Sequence, residues 1–269
     1  MTKLKLIINA DDFGISQSVN EAIAYCFKNG LVTNTTLLIN MPCAQEAIQI
    51  AKENGFLDRV GLHLNLYEGA PFNPAICQFA DFGDKSHQYL QGEYCKSFIK
   101  RFVLPNNEGL EVAKELELQI QKFLELNPKY FHVDSHRHSH TNPSIWKYCI
   151  PLFRKYKVDS TRLSRNLYVP RKKGLKETYK LLYNQQVIAN GWSRENWFGA
   201  FRDYKIIMDD HPNILHDGEC VELMCHPDFV NGKLVNHGSL PFEDMTDYFN
   251  GMEYTTFEAQ GKCYAVNKE

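Results

Sequence analysis

Phe131-His132-Val133-Asp134-Ser135-His136-Arg137-His138-Ser139-His140 is the stretch around which the rest of the chain can be organised. It holds four of the chain's ten histidines. Its first half alternates aromatic and β-branched residues with polar ones, which is typical of a strand, and we expect that strand to end near Asp134. The later histidines then lie where the strand ends. Histidine is the commonest metal ligand and the natural acid or base near neutral pH, so the cluster predicts a functional site rather than a solvated loop.

The composition is that of an ordinary globular protein. The 269 residues are 43% apolar and 23% charged, with a formal net charge of −2. Because the sequence has no basic block and no run of about 18 apolar residues, we expect no nucleic acid and no membrane as a partner. Residues 1–9 indicate a first strand rather than a signal peptide, since a charged pair follows too soon. We therefore expect a cytoplasmic protein, and the sequence leaves a homodimer open.

The cysteines do not suggest a metal site of their own. The chain has eight, and none of them forms a Cys-x-x-Cys pair. Most have apolar neighbours in the sequence. We expect reduced, mostly buried thiols, and no structural zinc site built on cysteine.

Two adjacent carboxylates follow the first predicted strand. Residues 4–9 are a short, mostly apolar run rich in branched residues, and after Ala10 they are followed by Asp11 and Asp12. Carboxylates at the end of a buried strand are costly unless they are paired or bound to a metal. They are not needed as helix caps, because Ser18-Val19-Asn20-Glu21 is a capping box for the next helix and Asn29-Gly30 ends it. The pair therefore predicts function.

The next elements repeat the alternation of strand and helix. Residues 33–40 are β-branched and aliphatic, which predicts a strand, and residues 43–54 form an amphipathic helical pattern. Residues 59–66 predict a third strand in which His63 and Asn65 alternate with leucines. In a strand packed on both faces, these two polar side chains would point to an interior or to a barrel mouth.

The middle of the chain contains a long irregular segment and an interrupted helical pattern. Residues 67–86 are rich in glycine and proline, and a loop of this length usually carries function, so we interpret it as a flap on the substrate side. Residues 143–156 predict a helix that Pro151 should kink or split. Residues 171–218 contain helical pieces but no motif that we can name.

Two later strands also deliver polar residues. Residues 158–163 predict a strand, which makes Arg162 and the following Arg165 candidates for contact with an anion or a substrate. Residues 220–225 predict the last clear strand, and His226 comes directly after it. Because His226 lies where a strand ends, a functional role is favoured over that of a simple turn residue before proline.

The alternation of strands and helices predicts a parallel sheet with helices outside it. The polar residues that follow or end the strands would gather at the carboxyl ends of the strands, where α/β barrels place their active sites. We see no linker and no internal repeat, and therefore expect residues 1–269 to form one domain.

Four short motifs resemble those of the YdjC-like carbohydrate deacetylases, a family that includes the chito-oligosaccharide deacetylases. They occur in the family's order and span roughly residues 4–230. The motifs are Asn9-Ala-Asp-Asp-Phe-Gly14, Gly61-Leu-His63, His132-Val-Asp-Ser-His136 with further histidines to His140, and Met224-Cys-His226-Pro227. The last motif continues with Asp228, where the family more often has glycine.

The resemblance implies an α/β fold, namely a distorted (β/α) barrel like that of the polysaccharide deacetylases. It implies one divalent metal ion, Mg or Zn, held by Asp12, His63 and His136. Asp11 would be the catalytic base and His226 the general acid. The substrate would be a small carbohydrate, an N-acetylated amino sugar or a short oligosaccharide of the chito-oligosaccharide type, from which the enzyme removes an acetyl group.

These residue types suit amide hydrolysis. A metal lowers the pKa of bound water from ~15.7 toward ~7 and polarises the acetyl carbonyl. One carboxylate and two imidazoles with an open position are typical of a catalytic metal site. A carboxylate can take the proton of the water, and an imidazole can protonate the leaving amine. We assign His138 and His140 to ligand orientation or substrate binding, and Asn65, Arg162 and Arg165 to substrate binding.

Two other functions compete with this interpretation. The first is a metal-dependent barrel hydrolase or isomerase acting on another sugar or a phosphate ester, but the glycine-rich anion loop that phosphate chemistry favours is missing from the sequence. The second is a sugar-binding protein with a vestigial metal site. Intact Asp11, Asp12 and His226 argue against it, because binding alone needs no acid and base.

Overall fold

The secondary structure follows the predicted alternation. The computed structural model describes residues 3–168 and 174–266. Its strands are β1 (Lys5–Phe13), β2 (Asn34–Leu37), β3 (Val60–Leu64), β4 (His132–Ser135), β5 (Ser160–Thr161), β6 (Trp197–Ala200), β7 (Cys220–Cys225), β8 (Pro227–Val230), β9 (Lys233–Asn236) and β10 (Glu253–Tyr254). Its helices are α1 (Gln17–Lys28), α2 (Ala44–Glu53), α3 (Phe98–Phe102), α4 (Asn106–Leu124), α5 (Pro143–Lys155), α6 (Leu175–Ala189), α7 (Phe201–Asp210), α8 (Thr246–Phe249) and α9 (Phe257–Val266).

The main sheet is parallel and curls into a barrel. Its strand order is β5-β4-β3-β2-β1-β7-β6, with β10 added beside β1. The gap between β5 and β6 is bridged by the segment after β5, since Leu167 N donates to Phe198 O at 3.0 Å and Phe198 N donates to the Asn166 side chain at 2.7 Å. The sheet with its surrounding helices is thus a distorted (β/α) barrel, which confirms the predicted fold class.

Polar side chains line the inside of this barrel, and apolar ones face the helices. In β3 and β4, His63 and Asp134 alternate with buried leucine and valine residues. Gly61 allows close packing at its position, since a Cβ there would lie 3.0 Å from the His132 carbonyl oxygen and 3.1 Å from the His132 ring. That ring stacks on Phe257 of α9 with 3.6 Å between centroids, which closes the end of the barrel opposite the carboxyl ends of the strands.

Two predicted boundaries near the first strand are wrong. Strand β1 does not end before the aspartates but continues through both of them to Phe13. Helix α1 begins at Gln17 and is capped by Ser16, whose hydroxyl accepts a hydrogen bond from Val19 N at 3.3 Å. The Ser18 hydroxyl is not a cap, because it donates instead to Asp228 at 2.5 Å. The predicted helix end at Asn29 and Gly30 is confirmed.

Other elements agree with the sequence in place but not always in length. Helix α2 and strand β7 are confirmed. Helix α5 is continuous through Pro151, because Leu152 and Phe153 beyond it are buried in the core and hold the last turn in place. Strand β5 is only two residues long, since the chain after it turns toward β6. The described parts of residues 171–218 supply α6, β6 and α7.

The structure also bears on the expected free thiols and on the expected lack of a membrane-spanning helix. The cysteines described are all free, and five of the seven are buried; the side chain of Cys263 lies outside the described residues. None of the helices within residues 3–168 and 174–266 combines the length and apolar character that crossing a bilayer requires. The assignment of residues 1–269 to one domain stays a prediction.

Candidate active site

Three side chains from different strands converge at the carboxyl end of the sheet. Asp12 lies near the end of β1, His63 in β3, and His136 directly after β4. Asp12 Oδ1 is 2.6 Å from His136 Nδ1 and 3.2 Å from His63 Nε2. One potential ligand atom from each of the three lies within 4.8 Å of the others. The structure thus brings together the three residues that the resemblance implied as metal ligands.

The backbone of β1 is bent to aim Asp12 at the two histidines. The register between β1 and β2 shifts between Ala10 and Phe13, as at a β-bulge. Asp12 itself has a φ of 69°, in the left-handed region that non-glycine residues rarely adopt. Bulges re-aim side chains at the rims of barrels. This local distortion lets adjacent Asp11 and Asp12 take part in the same site.

The electrostatics of the three residues fit a divalent cation. Burial opposes the charge on Asp12, but hydrogen bonds from His136 and His63 hold its pKa well below the usual range. Burial likewise opposes a charge on His63, yet Asp134 and Asp12 raise its pKa to about 10. The cluster therefore favours positive charge at its centre. A carboxylate with two imidazoles is a donor set that suits zinc and related divalent ions. Such an ion would displace the imidazole protons that face Asp12.

Each of the two histidines is backed by a carboxylate on its other ring nitrogen. His63 Nδ1 lies 2.5 Å from Asp134 Oδ1. His136 Nε2 lies 3.0 Å from Glu68 Oε1. Sequence reasoning gave neither carboxylate a role. The position of Asp134 inside the histidine-rich stretch was a usable signal, whereas Glu68 lies in an irregular loop where spacing gives none.

Arg162 is the centre of the buried charge network. Its side chain has no exposed surface, and its guanidinium forms a two-point contact with Asp11, with both N–O distances 2.7 Å. It also lies 2.8 Å from Asp134 Oδ2 and 2.6 Å from Glu222 Oε1. Phe198 covers it, with 4.7 Å between the guanidinium carbon and the ring centroid. Arg162 was predicted to contact substrate, but the structure places it beneath the site.

One guanidinium cannot neutralise three surrounding carboxylates. Burial opposes ionisation of Asp11, but its two-point contact with Arg162 holds its pKa well below the usual range. Burial raises the pKa of Glu222 to about 8, and Arg162 offsets this only in part. Asp11 is therefore charged near neutral pH, whereas Glu222 keeps its proton. Sequence reasoning placed no role on Glu222, because a single glutamate in an apolar strand carries no spacing signal.

His226 lies beside Asp11 at the mouth of the barrel. Its Nε2 is 3.9 Å from Asp11 Oδ2, and its side chain is one-third exposed. Its backbone N donates to Asn236 Oδ1 at 2.8 Å, which ties it to the hairpin formed by β8 and β9. A cleft of about 760 Å³ is lined by His226 and Asp11, together with Asp12 and Arg137. The predicted acid and base thus share one open cavity.

Asp228 explains how the hairpin is held against the barrel. Its two carboxylate oxygens contact Ser18 of α1 at 2.5 Å and His237 at 3.0 Å. Both oxygens are thus used to fix one wall of the cleft. An aspartate is useful at this position of the motif because glycine could make neither contact.

The remaining predicted substrate contacts lie in different surroundings. Asn65 is fully buried, and its amide organises the turn of the following loop. His140 is also fully buried, between Ser135 and the Arg162 carbonyl. Arg165 is partly exposed and pairs with Asp203 at the start of α7. None of these three side chains lines the cleft that contains Asp11 and His226.

His138 stands apart from this group. Together with Arg137 it adopts a left-handed backbone, with φ values of 56° and 51°. Burial and Arg162 lower the pKa of His138 to about 3, so the ring is neutral. Its Nδ1 is buried and has no hydrogen-bond partner among the described residues. Strain of this kind often occurs beside active sites.

The chain is similar over most of its length to a family model and to proteins named carbohydrate deacetylase. The family model described as YdjC-like protein matches residues 5–260. A protein from Halalkalibacterium halodurans named carbohydrate deacetylase is 32% identical over 240 residues, covering 88% of this chain and 90% of that protein. One of the same name from Clostridium beijerinckii is 28% identical over 243 residues, covering 89% and 87%.

A crystal structure supports the fold. A protein of Enterococcus faecalis, provisionally described as a cellobiose-phosphate cleavage protein, superposes with a TM-score of 0.66. It covers 96% of this chain and 98% of its own, at 23% identity. At this identity the likeness bears on the fold alone.

The charge network predicts a pH-dependent stability. Between about pH 5 and pH 8, folded Glu222 keeps its proton whereas the unfolded side chain, with a pKa of 4.5, loses it. The free energy of unfolding should therefore fall as pH rises, by up to about 1.4 kcal/mol per pH unit. Glu222→Gln lacks this loss, so its stability relative to wild type should increase with pH. Urea unfolding at several pH values measures this difference.

A matched control is the same substitution at exposed Glu53, which reports the effect of the amide alone. A stability difference between Glu222→Gln and wild type that stays constant from about pH 5 to pH 8 would contradict the assigned proton.

Proposed function

We propose that this chain, which belongs to the YdjC-like protein family, is a metal-dependent carbohydrate deacetylase that removes the acetyl group from an N-acetylated amino sugar or short oligosaccharide. The observation that carries the proposal is the convergence of Asp12 with His63 and His136, next to a cleft that Asp12 lines together with Asp11 and His226. Relatives named carbohydrate deacetylase support the same reaction. The substrate would be of the chito-oligosaccharide type.

Asp12, His63 and His136 would hold the metal ion, with zinc or magnesium as candidates. When bound, a divalent ion would polarise the acetyl carbonyl and make a water molecule at the site more acidic. The donor atoms that face one another support this assignment, since Asp12 Oδ1 lies within 3.2 Å of a nitrogen from each histidine.

Asp11 would act as the base. Its contact with Arg162 keeps the carboxylate ionised, so Oδ2 can accept a proton from the attacking water. Arg162 and Asn9 fix its orientation, since both donate hydrogen bonds to its carboxylate. A carboxylate that is fixed and charged before substrate arrives can take a proton without rearrangement.

His226 would act as the general acid. It reaches the cleft from the strand β7 side, and its exposed Nε2 can deliver a proton to the leaving amine. Arg137 lines the same cleft, which makes it the better candidate for contact with the sugar, whereas His138 is not one of the residues that line it. Asn65, His140 and Arg162 support the site from within the protein, since each is fully buried.

The experiment that tests the proposed reaction is mass spectrometry of N-acetylglucosamine oligosaccharides incubated with the protein and a divalent metal. We expect products that have lost an acetyl group, with an equal amount of free acetate. If a broad panel of acetylated sugars releases no acetate while phosphate or glycosidic bonds are cleaved, the proposal is wrong.

The metal assignment predicts that Asp12→Ala, His63→Ala and His136→Ala each lose a bound divalent ion. Each substitution removes one of three ligands, and two remaining ligands hold a divalent ion weakly. Elemental analysis after dialysis should find about one ion per wild-type chain and far less in each variant. Full occupancy in all three variants would exclude this set of ligands.

The catalytic assignment predicts that Asp11→Asn and His226→Ala retain the metal but lose activity, and that Asp11→Asn is also less stable because it removes a charge paired with Arg162. Their kcat should fall by roughly 10²–10⁴-fold, the usual contribution of a positioned proton-transfer group. Circular dichroism and elemental analysis verify fold and metal, and acetate release gives kcat. A His226→Ala protein with full metal and near-normal kcat would remove His226 as the acid.

A further inference from the structure

We propose that Glu68 is a positioning residue that fixes the ring of His136, so that Nδ1 rather than Nε2 faces the metal. This inference rests on the proposed metal site. The two imidazoles have the same arrangement: one nitrogen points to Asp12 Oδ1 and the other to a carboxylate. For His63 the inward atom is Nε2, and for His136 it is Nδ1.

The contact with Glu68 fixes the orientation of the ring. A carboxylate can accept only an N–H, so Glu68 would hold a proton on Nε2 and leave Nδ1, which faces Asp12, to bind a cation. Glu68 Oε1 lies 3.0 Å from His136 Nε2, and Asp12 Oδ1 lies 2.6 Å from Nδ1. Metal-bound histidines commonly donate their other N–H to a carboxylate in this way.

Hydrogen bonds within the loop fix the position of Glu68. Asn65 Oδ1 accepts hydrogen bonds from Tyr67 N at 2.9 Å and Glu68 N at 3.3 Å, and Asn65 Nδ2 donates to Glu68 O at 2.8 Å. Gln119 of α4 in turn holds both the N and the O of Asn65, at 2.9 and 2.7 Å. The backbone of Glu68 is therefore fixed from two directions, which aims its side chain at His136.

Glu68 allows a cleaner test than Asp134, the equivalent carboxylate behind His63. Asp134 is fully buried and also pairs with Arg162, so its removal would disturb the whole network. The Glu68 side chain is 39% exposed, and its truncation leaves no buried charge without a partner. A loss of metal affinity in Glu68→Ala can therefore be separated from a loss of folding.

The first test is zinc affinity, measured by competition with a chelator on metal-free protein. Glu68→Ala should bind zinc about 10–100-fold more weakly than wild type, with an unchanged unfolding midpoint for the metal-free form. Glu68→Gln should keep most of the affinity, because its amide oxygen still accepts the Nε2 proton. Glu93→Ala, which removes another carboxylate of the same region, is the control and should bind zinc like wild type.

The second test reads the tautomer directly. Long-range ¹H–¹⁵N spectra of zinc-loaded wild type should show His136 protonated at Nε2, with Nδ1 bound to the metal. Zinc on Nε2, or Glu68→Ala binding zinc as tightly as wild type, would overturn the inference. Neither measurement depends on acetate release, so a protein that binds zinc in this way but deacetylates no sugar would refute the proposed reaction and leave the role of Glu68 standing.

Discussion

The buried guanidinium of Arg162 is the interaction on which the interior of the barrel depends. It joins carboxylates from β1, β4 and β7, strands that are not all neighbours in the sheet. An ion that contacts so many strands fixes their relative positions near the site. Breaking such a network by removing one partner leaves uncompensated buried charge, which typically costs about 3–5 kcal/mol. The network thus links the stability of the barrel to the geometry of its active site.

This constraint also explains why two adjacent aspartates behave differently. Asp11 follows the inward face of β1 down to Arg162, whereas the left-handed backbone at Asp12 turns its carboxylate up to the histidines. Asp11 is thereby held as a charged acceptor, and Asp12 is placed between the two histidines. A regular strand could not have done both, because successive side chains would point to opposite faces of the sheet.

Much of the fold could be predicted from the sequence, because the buried strands and amphipathic helices are strongly patterned. The strand β7 and helix α2 are examples, as is the gathering of Asp12, His63 and His136 at the carboxyl ends of the strands. What could not be predicted depends on packing between distant segments. Pro151 breaks no helix because the core holds its last turn, and Ser18 serves the hairpin instead of a cap.

The residues of the site could be predicted where polar side chains directly follow or end a predicted strand. Arg162 was predicted to contact an anion or a substrate, because the sequence does not show that three carboxylates from other strands surround it. Asn65 looked like a substrate contact because its alternation with leucines indicated an inward face, but the strand ends at Leu64 and the amide instead folds the loop. Glu68 had no pattern at all, since its role depends on where that loop brings it.

The two histidines of the proposed metal site consequently differ in how they are held. His63 is fixed by Asp134 and through it by Arg162, all of them buried within the barrel. His136 is fixed by Glu68, a partly exposed residue on the long loop that follows β3. The barrel half is therefore held by buried groups, whereas the other half also depends on the loop that carries Glu68. Because Asn65 and Gln119 fix the backbone of that loop, the proposed role of Glu68 would couple the loop conformation to the metal site.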